Sequence, residues 1–420
     1  MFSNRLFMGR LVLWTFLLFL PFVSGPSLAQ EITGPAAFVE SILSRHPAIH
    51  KANELVRSAE FGLKASGLQP NPTLTLSVTA GDAGEDSNAL TQNLEISGQP
   101  SLRHNIAKAN LESVLQQRQA TRKQVIGLAY RAWLELWRSH RLLELAQLRN
   151  LLLEEMSRVA YRRFEVGEIA ENEALRVELA AAQAKAALVR AEAALESARL
   201  NAALLLGAEA DSDFAINPSE PIPLFTDVNL EFVLDSIEDH PEILSRLYQL
   251  QALEMGAKLI KKERSPVLGL SLYRSSLIRS HAVEQGVQLS ASWPIFDWGS
   301  IRNRSEQKRA EALAFQAGID ETLLETRRAI AKTWTLLEAS RRNLKILAVQ
   351  AERYEELARE ARVAYDVGLW SLTDVLQTEE SYRQAGIQLL QTRAEVLELE
   401  IEIVESTGLN FPQHLLQEEL

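Results

Sequence analysis

The sequence predicts a mainly helical chain that also carries strands long enough to cross a membrane, built as two copies of one unit. Three observations lead there. Proline, which helix interiors exclude, is missing from two spans of equal length, Ser101 to Asn217 and Ile295 to Phe411, both rich in Ala, Leu, Glu, Arg and Gln. Short motifs recur between the halves: His46-Pro47-Ala48-Ile49 returns as His240-Pro241-Glu242-Ile243, and Pro72 to Leu76 returns as Pro266 to Leu270. Beyond the N-terminal segment no stretch reaches the roughly 18 uncharged apolar residues that a spanning helix needs, so any crossing by the remaining chain is made of strands.

The elements follow in order. Arg5 and Arg10, an apolar run from Leu11 to Leu20, and Ser27-Leu28-Ala29 read as a signal peptide over residues 1–29, cleaved after Ala29. The first repeat then covers 30–217, the second 218–411, and a tail 412–420. Each repeat opens with a helix, Phe38 to Ser66 and Leu230 to Glu263, with an internal proline that marks a kink or a restart. Alternation of period two follows. Leu74, Leu76 and Val78 form one apolar row and Leu90, Leu94 and Ile96 the next; Leu268, Leu270 and Leu272, then Val287, Leu289, Ala291 and Trp293, repeat the pattern. Strands of about ten residues suit a tilted crossing of a bilayer, although a soluble hairpin with one wet face has the same alternation.

The long helices are the stronger signal. Leu323, Ile330, Leu337, Leu344, Ala351, Ala358 and Tyr365 are spaced by seven, the seam of a supercoiled helix. In the first repeat Leu175, Leu179, Ala182, Ala186, Val189 and Ala193 supply an apolar stripe of smaller side chains. Phe164-Glu165-Val166-Gly167 returns as Tyr365-Asp366-Val367-Gly368 at an offset of 201 rather than the 194 of the earlier motifs. That seven-residue difference predicts one heptad inserted in a long helix, or an insertion split with the elbows after the strands, which align ambiguously.

Composition narrows the chemistry. With 44 basic and 55 acidic residues the net charge is −11, which disfavours nucleic acid as a partner. Cysteine is absent, which removes disulfides, thiolate chemistry, cysteine-bound metals and a lipid anchor on an N-terminal cysteine. No Ser/His/Asp arrangement or glycine-rich phosphate cradle stands at useful spacing, so no enzymatic activity and no cofactor are expected. His46, His50 and Glu54 have the spacing of ligands on one helix face, but Pro47 breaks that helix near its start and His240 repeats only the first of them, which points to a structural role.

The order of helix, two strands and very long hairpin, occurring twice behind a signal peptide, resembles the TolC family of outer-membrane efflux channels. Gln69-Pro70-Asn71-Pro72-Thr73-Leu74 is similar to that family's approach to its first strand, Pro294-Ile295-Phe296-Asp297-Trp298-Gly299 to its second elbow, and Tyr365 to Leu369 with Asp374-Val375-Leu376 to a hairpin tip. Asn71-Pro72, Gly98 and Arg103 resemble the branch serving heavy-metal pumps of the resistance-nodulation-division type; Gly98-Gln99-Pro100 departs from its usual Gly-Lys pair. The resemblance implies a fold of long hairpins forming an α-barrel duct, with four strands per protomer in a trimeric twelve-stranded barrel. It implies an outer-membrane exit duct with a periplasmic helical extension, passively conducting substrate, metal cations in this branch, delivered by an inner-membrane pump and a periplasmic adaptor. Its partners are then two further copies of itself, the adaptor, the pump and outer-membrane lipid. A soluble periplasmic coiled-coil scaffold or pump adaptor is the alternative, since it also uses a long hairpin.

If the strands enter a membrane, oligomerisation follows from physics as well, because four strands cannot close a barrel and open edges in hydrocarbon leave backbone groups unpaired. Val166, Gly167, Val367, Gly368 and Leu369 match the family's adaptor-docking tips, and the glycines also suit a helix C-cap at positive φ. Asp374 matches an acidic residue near the family's periplasmic entrance; Ser371-Leu372-Thr373-Asp374 also has the spacing of a capping box.

Overall fold

The computed structural model describes residues 34–78, 85–207, 229–277 and 282–411. The leader ending at Ala29, the repeat boundary after Asn217 and the tail 412–420 lie outside the described residues. The first six elements are α1 (Pro35–Arg45), α2 (Pro47–Ser66), β1 (Thr73–Ser77), β2 (Glu85–Glu95), α3 (Gln99–Glu165) and α4 (Glu171–Leu205). The order then recurs in α5 (Leu230–Asp235), α6 (Pro241–Lys262), β3 (Val267–Leu277), β4 (Val283–Ser292), α7 (Ser300–Asp366) and α8 (Leu372–Glu405).

Each opening helix is two helices rather than one kinked helix. His46 is extended (φ −66°, ψ 127°) and α2 restarts on Pro47, where the missing N–H has no helical partner to lose. His240 does the same before Pro241. Both histidines are N-caps: His46 Nδ1 accepts from Ala48 N at 3.2 Å and His240 Nδ1 from Glu242 N at 3.2 Å. Among the described residues no group of three metal-ligating side chains converges.

The strands form one antiparallel sheet in the order β1-β2-β3-β4. Leu74, Leu90, Leu272 and Val287 stand opposite one another across it and make a single apolar row, exposed in the protomer. The other face is mostly small and polar, with Tyr273 lying over Gly286; Thr91 Oγ1 and Ser271 Oγ lie 2.8 Å apart there. Gln92 falls on the apolar face and directs its amide to Pro70 O at 2.7 Å, so its polar end is satisfied. β1 is shorter than its pattern implies, five residues ending at Ser77, whereas β2 and β3 have eleven and β4 ten. β1 and β4 are both sheet edges.

Gly98 and Gly299, in the left-handed region at φ 85° and 79°, turn the chain into α3 and α7. Each of these helices has 67 residues, about 100 Å at 1.5 Å per residue. Their equal length rules out a heptad inserted in the long helix and leaves the elbow as the place of the insertion. The extra residues of the second repeat fall between the start of its first strand and its long helix: seven residues separate β4 from α7, but only three separate β2 from α3. The elbow, which needs no helical register, absorbs most of the difference.

The α7 seam is as expected, with Ile330, Leu337 and Ala358 buried. The α4 stripe is not. Leu175, Leu179 and Val189 are more than half exposed, and α4 instead packs Val177, Ala184, Leu195, Ala198 and Ala202 inward. Alanine on every side of this helix leaves its periodicity ambiguous, and packing on α3 selects the face. The largest core gathers midway along the long helices around Trp133, Tyr130 and Phe38, with Phe38 and Trp133 ring centroids 5.6 Å apart.

Candidate functional site

The two hairpin tips have the same construction. At the end of α3, Gly167 (φ 78°) donates its N–H to Phe164 O at 2.9 Å and Glu168 donates to Arg163 O at 2.8 Å. At the end of α7, Gly368 (φ 75°) donates to Tyr365 O at 3.0 Å and Leu369 to Ala364 O at 2.8 Å. Both are Schellman closures, which satisfy the last carbonyls of a helix through a left-handed residue. A Cβ on either glycine would meet nothing within 4 Å, so the requirement is the backbone angle alone. Val166 and Val367 project outward, and Leu369 is 79% exposed.

Within the protomer the tips lie side by side. Arg163 stacks on the Tyr365 ring at 5.0 Å, and Arg176 donates to Thr373 Oγ1 at 3.1 Å. Ala160, Val177 and Leu372 form a small buried cluster between them. None of these contacts has a periodic or motif signal, and the sequence alone did not disclose them.

Asp374 completes the capping box. Its carboxylate accepts from Ser371 N at 3.3 Å and Ser371 Oγ at 2.6 Å, and its own N–H donates to Ser371 Oγ at 3.3 Å. It stays exposed, at the edge of an open groove of about 510 Å³ between α7 and α8, where Tyr354, Leu357, Leu369 and Trp370 supply apolar surface. Of the residues that carry the branch resemblance, Gly98 and Arg103 stand at the first elbow, where Arg103 binds Glu95 Oε2 at 2.5 Å and Leu68 O at 3.1 Å. Asp297 holds the second, accepting from Gly299 N at 3.2 Å and Ile301 N at 3.1 Å. Desolvation works against its negative charge, but these bonds and nearby Arg264 outweigh it and keep its pKa below the ordinary carboxylate value.

A short amphipathic sheet is thus continued by two helical hairpins, each with one helix about 100 Å long. The sequence profile of the family described as outer membrane efflux protein matches residues 234–409. Outer membrane efflux protein BepC of Brucella suis is 23% identical over 408 residues, 90% of this chain and 87% of the relative. Among solved structures, the outer membrane protein VceC of Vibrio cholerae superposes with a TM-score of 0.73 at 18% identity, over 90% of this chain and 97% of that one. CusC, solved in a study of folding and transmembrane channel formation, gives 0.72 at 14% identity over 89% and 92%. These likenesses establish the fold.

Proposed function

We propose that three copies of this chain form the outer-membrane exit duct of a tripartite efflux system. The protein is not an enzyme; it resides in the outer membrane and extends its helices into the periplasm. Twelve strands close a barrel around a water-filled lumen, and the helices continue it as a periplasmic duct. The carrying observation is the exposed row of Leu74, Leu90, Leu272 and Val287 on a sheet whose two edges, β1 and β4, are unpaired in one protomer. A soluble scaffold would leave that row in water.

Substrate reaches the duct from an inner-membrane pump through a periplasmic adaptor, which meets the tips at Val166, Gly167, Val367, Gly368 and Leu369. Asp374 stands near the periplasmic entrance. The proposed cargo is metal cations, a reading that rests on Asn71-Pro72, Gly98 and Arg103. Two repeats, 30–217 and 218–411, each supply one hairpin of strands and one of helices. The mature protein extracted from outer membranes should elute in detergent at the mass of a trimer; a monodisperse monomer that stays soluble without detergent would overturn the proposal.

A further inference from the structure

The second elbow exposes far more apolar surface than a turn requires. Trp298 is 96% exposed and Phe296 82%, with Ile295 and Trp293 also outward. Trp298 is also the one non-glycine residue at positive φ (52°) among the described residues, a strained backbone that presents a bulky ring to solvent. The strain is held in place, because Asp297 beside it accepts the two backbone bonds from Gly299 and Ile301. The first elbow has three residues and no aromatic ring.

Around this loop the charge is opposite to that of the chain. Lys261 and Lys262 end α6 and Arg264 follows it, a few residues before β3 begins, and Arg302 and Arg304 lie in the first turns of α7, all exposed. Arg304 is bound to Glu263 at 2.5 Å and Arg264 to Asp297 at 3.6 Å. Lys261, Lys262 and Arg302 have no ion-pair partner among the described residues, in a protein whose net charge is −11. The loop also continues the apolar face of β4, whose Val287, Leu289 and Ala291 lead to Trp293.

Resting on the outer-membrane reading above, we infer that this elbow is a collar for anionic phospholipid in the periplasmic leaflet. Trp298 and Phe296 enter the headgroup and upper acyl region, and Lys261, Lys262 and Arg302 bind the phosphate-bearing headgroups. The occupant is a phospholipid of net negative charge. Charge complementarity and continuity with the lipid-facing rows of the sheet favour it over a neighbouring protomer, which would have to receive three unpaired cations.

The test uses the mature protein reconstituted in vesicles of phosphatidylcholine alone or mixed with phosphatidylglycerol, with co-flotation confirming insertion. Phosphatidylglycerol brominated on its upper acyl chain should quench wild-type fluorescence more than brominated phosphatidylcholine, and Trp298→Phe should remove that excess. The combined variant Lys261→Gln, Lys262→Gln and Arg302→Gln should retain about tenfold less phosphatidylglycerol by native mass spectrometry. Equal quenching by both lipids, or undiminished retention in the triple variant, would overturn the collar while co-flotation upheld the membrane reading. Trp298 shielded from every brominated lipid would show that a second copy covers it, and would equally overturn the inference.

Discussion

Lys123 on α3 donates a hydrogen bond to the backbone carbonyl of Thr407, two residues past the end of α8, and both residues are buried. The bond ties the long helix of the first half to the close of the second. Burial pushes the Lys123 pKa down to about 8 from 10.5, against the opposing attraction of Glu405. Between those values the unfolded chain holds the extra proton, so this group makes stability rise from pH 8 to pH 10.5, by about 3 kcal/mol if the shift is fully expressed. Lys123→Met should flatten that limb in denaturant titrations of the detergent-solubilised protein. Parallel curves for the two proteins would contradict it.

His240 responds at the acid end. Its Nδ1 accepts from Glu242 N while Nε2 faces Glu405 O at 3.0 Å, an arrangement that needs the neutral ring with its proton on Nε2. Burial, and then the charge of Lys123, hold its pKa below the ordinary 6.5. The unfolded state therefore takes up a proton first, and stability present above pH 6.5 is lost as the pH falls below it. His240→Asn keeps a cap acceptor and should show a shallower acid limb. An unchanged acid limb would leave His240 out of the acid response.

At the tips, a Cβ on Gly167 or Gly368 meets nothing, but valine there must adopt positive φ, a strain of about 1–2 kcal/mol. Gly368→Val should leave the trimer intact on gels and reduce adaptor co-purification severalfold, whereas Gly368→Asn, which tolerates that backbone, should retain it. Full adaptor recovery with both variants would remove the tips from the docking surface.

Asp374 caps α8, and one substitution separates that role from the proposed one at the periplasmic entrance. Asp374→Asn preserves an acceptor for Ser371 but removes the charge. Single-channel recordings should then show weaker cation selectivity and weaker block by multivalent cations at unchanged thermal stability, because like charges converging in a narrow duct attract cations. Unchanged conductance and selectivity would leave the capping box as its whole function.

Much of this architecture was legible because proline and glycine act locally. The proline-free spans bounded the helical hairpins, the His-Pro pairs marked the helix restarts, and the Val-Gly pairs marked both tips. What escaped reading depended on partners distant in sequence. α4 could show any of several alanine-rich faces, and only packing on α3 chose Val177 over Leu175. The seven-residue difference could be divided between helix and elbow only by the structure, because motif spacing measures a total and cannot locate it. The Arg163–Tyr365 stacking and the Lys123–Thr407 bond join residues whose sequence neighbourhoods carry no signal of each other.

The most direct test of the trimeric barrel uses the absence of cysteine from the chain. A cysteine at Leu74 on edge strand β1, combined in turn with one at Val287, Leu289 or Ala291 on edge strand β4, probes pairing between neighbouring protomers. Barrel closure predicts that oxidation in outer membranes converts at least one pair into a covalent trimer on denaturing gels, with every single-cysteine control remaining monomeric. Monomers alone from all three pairs, in a protein that still fractionates with the outer membrane, would contradict a barrel closed between β4 of one protomer and β1 of the next.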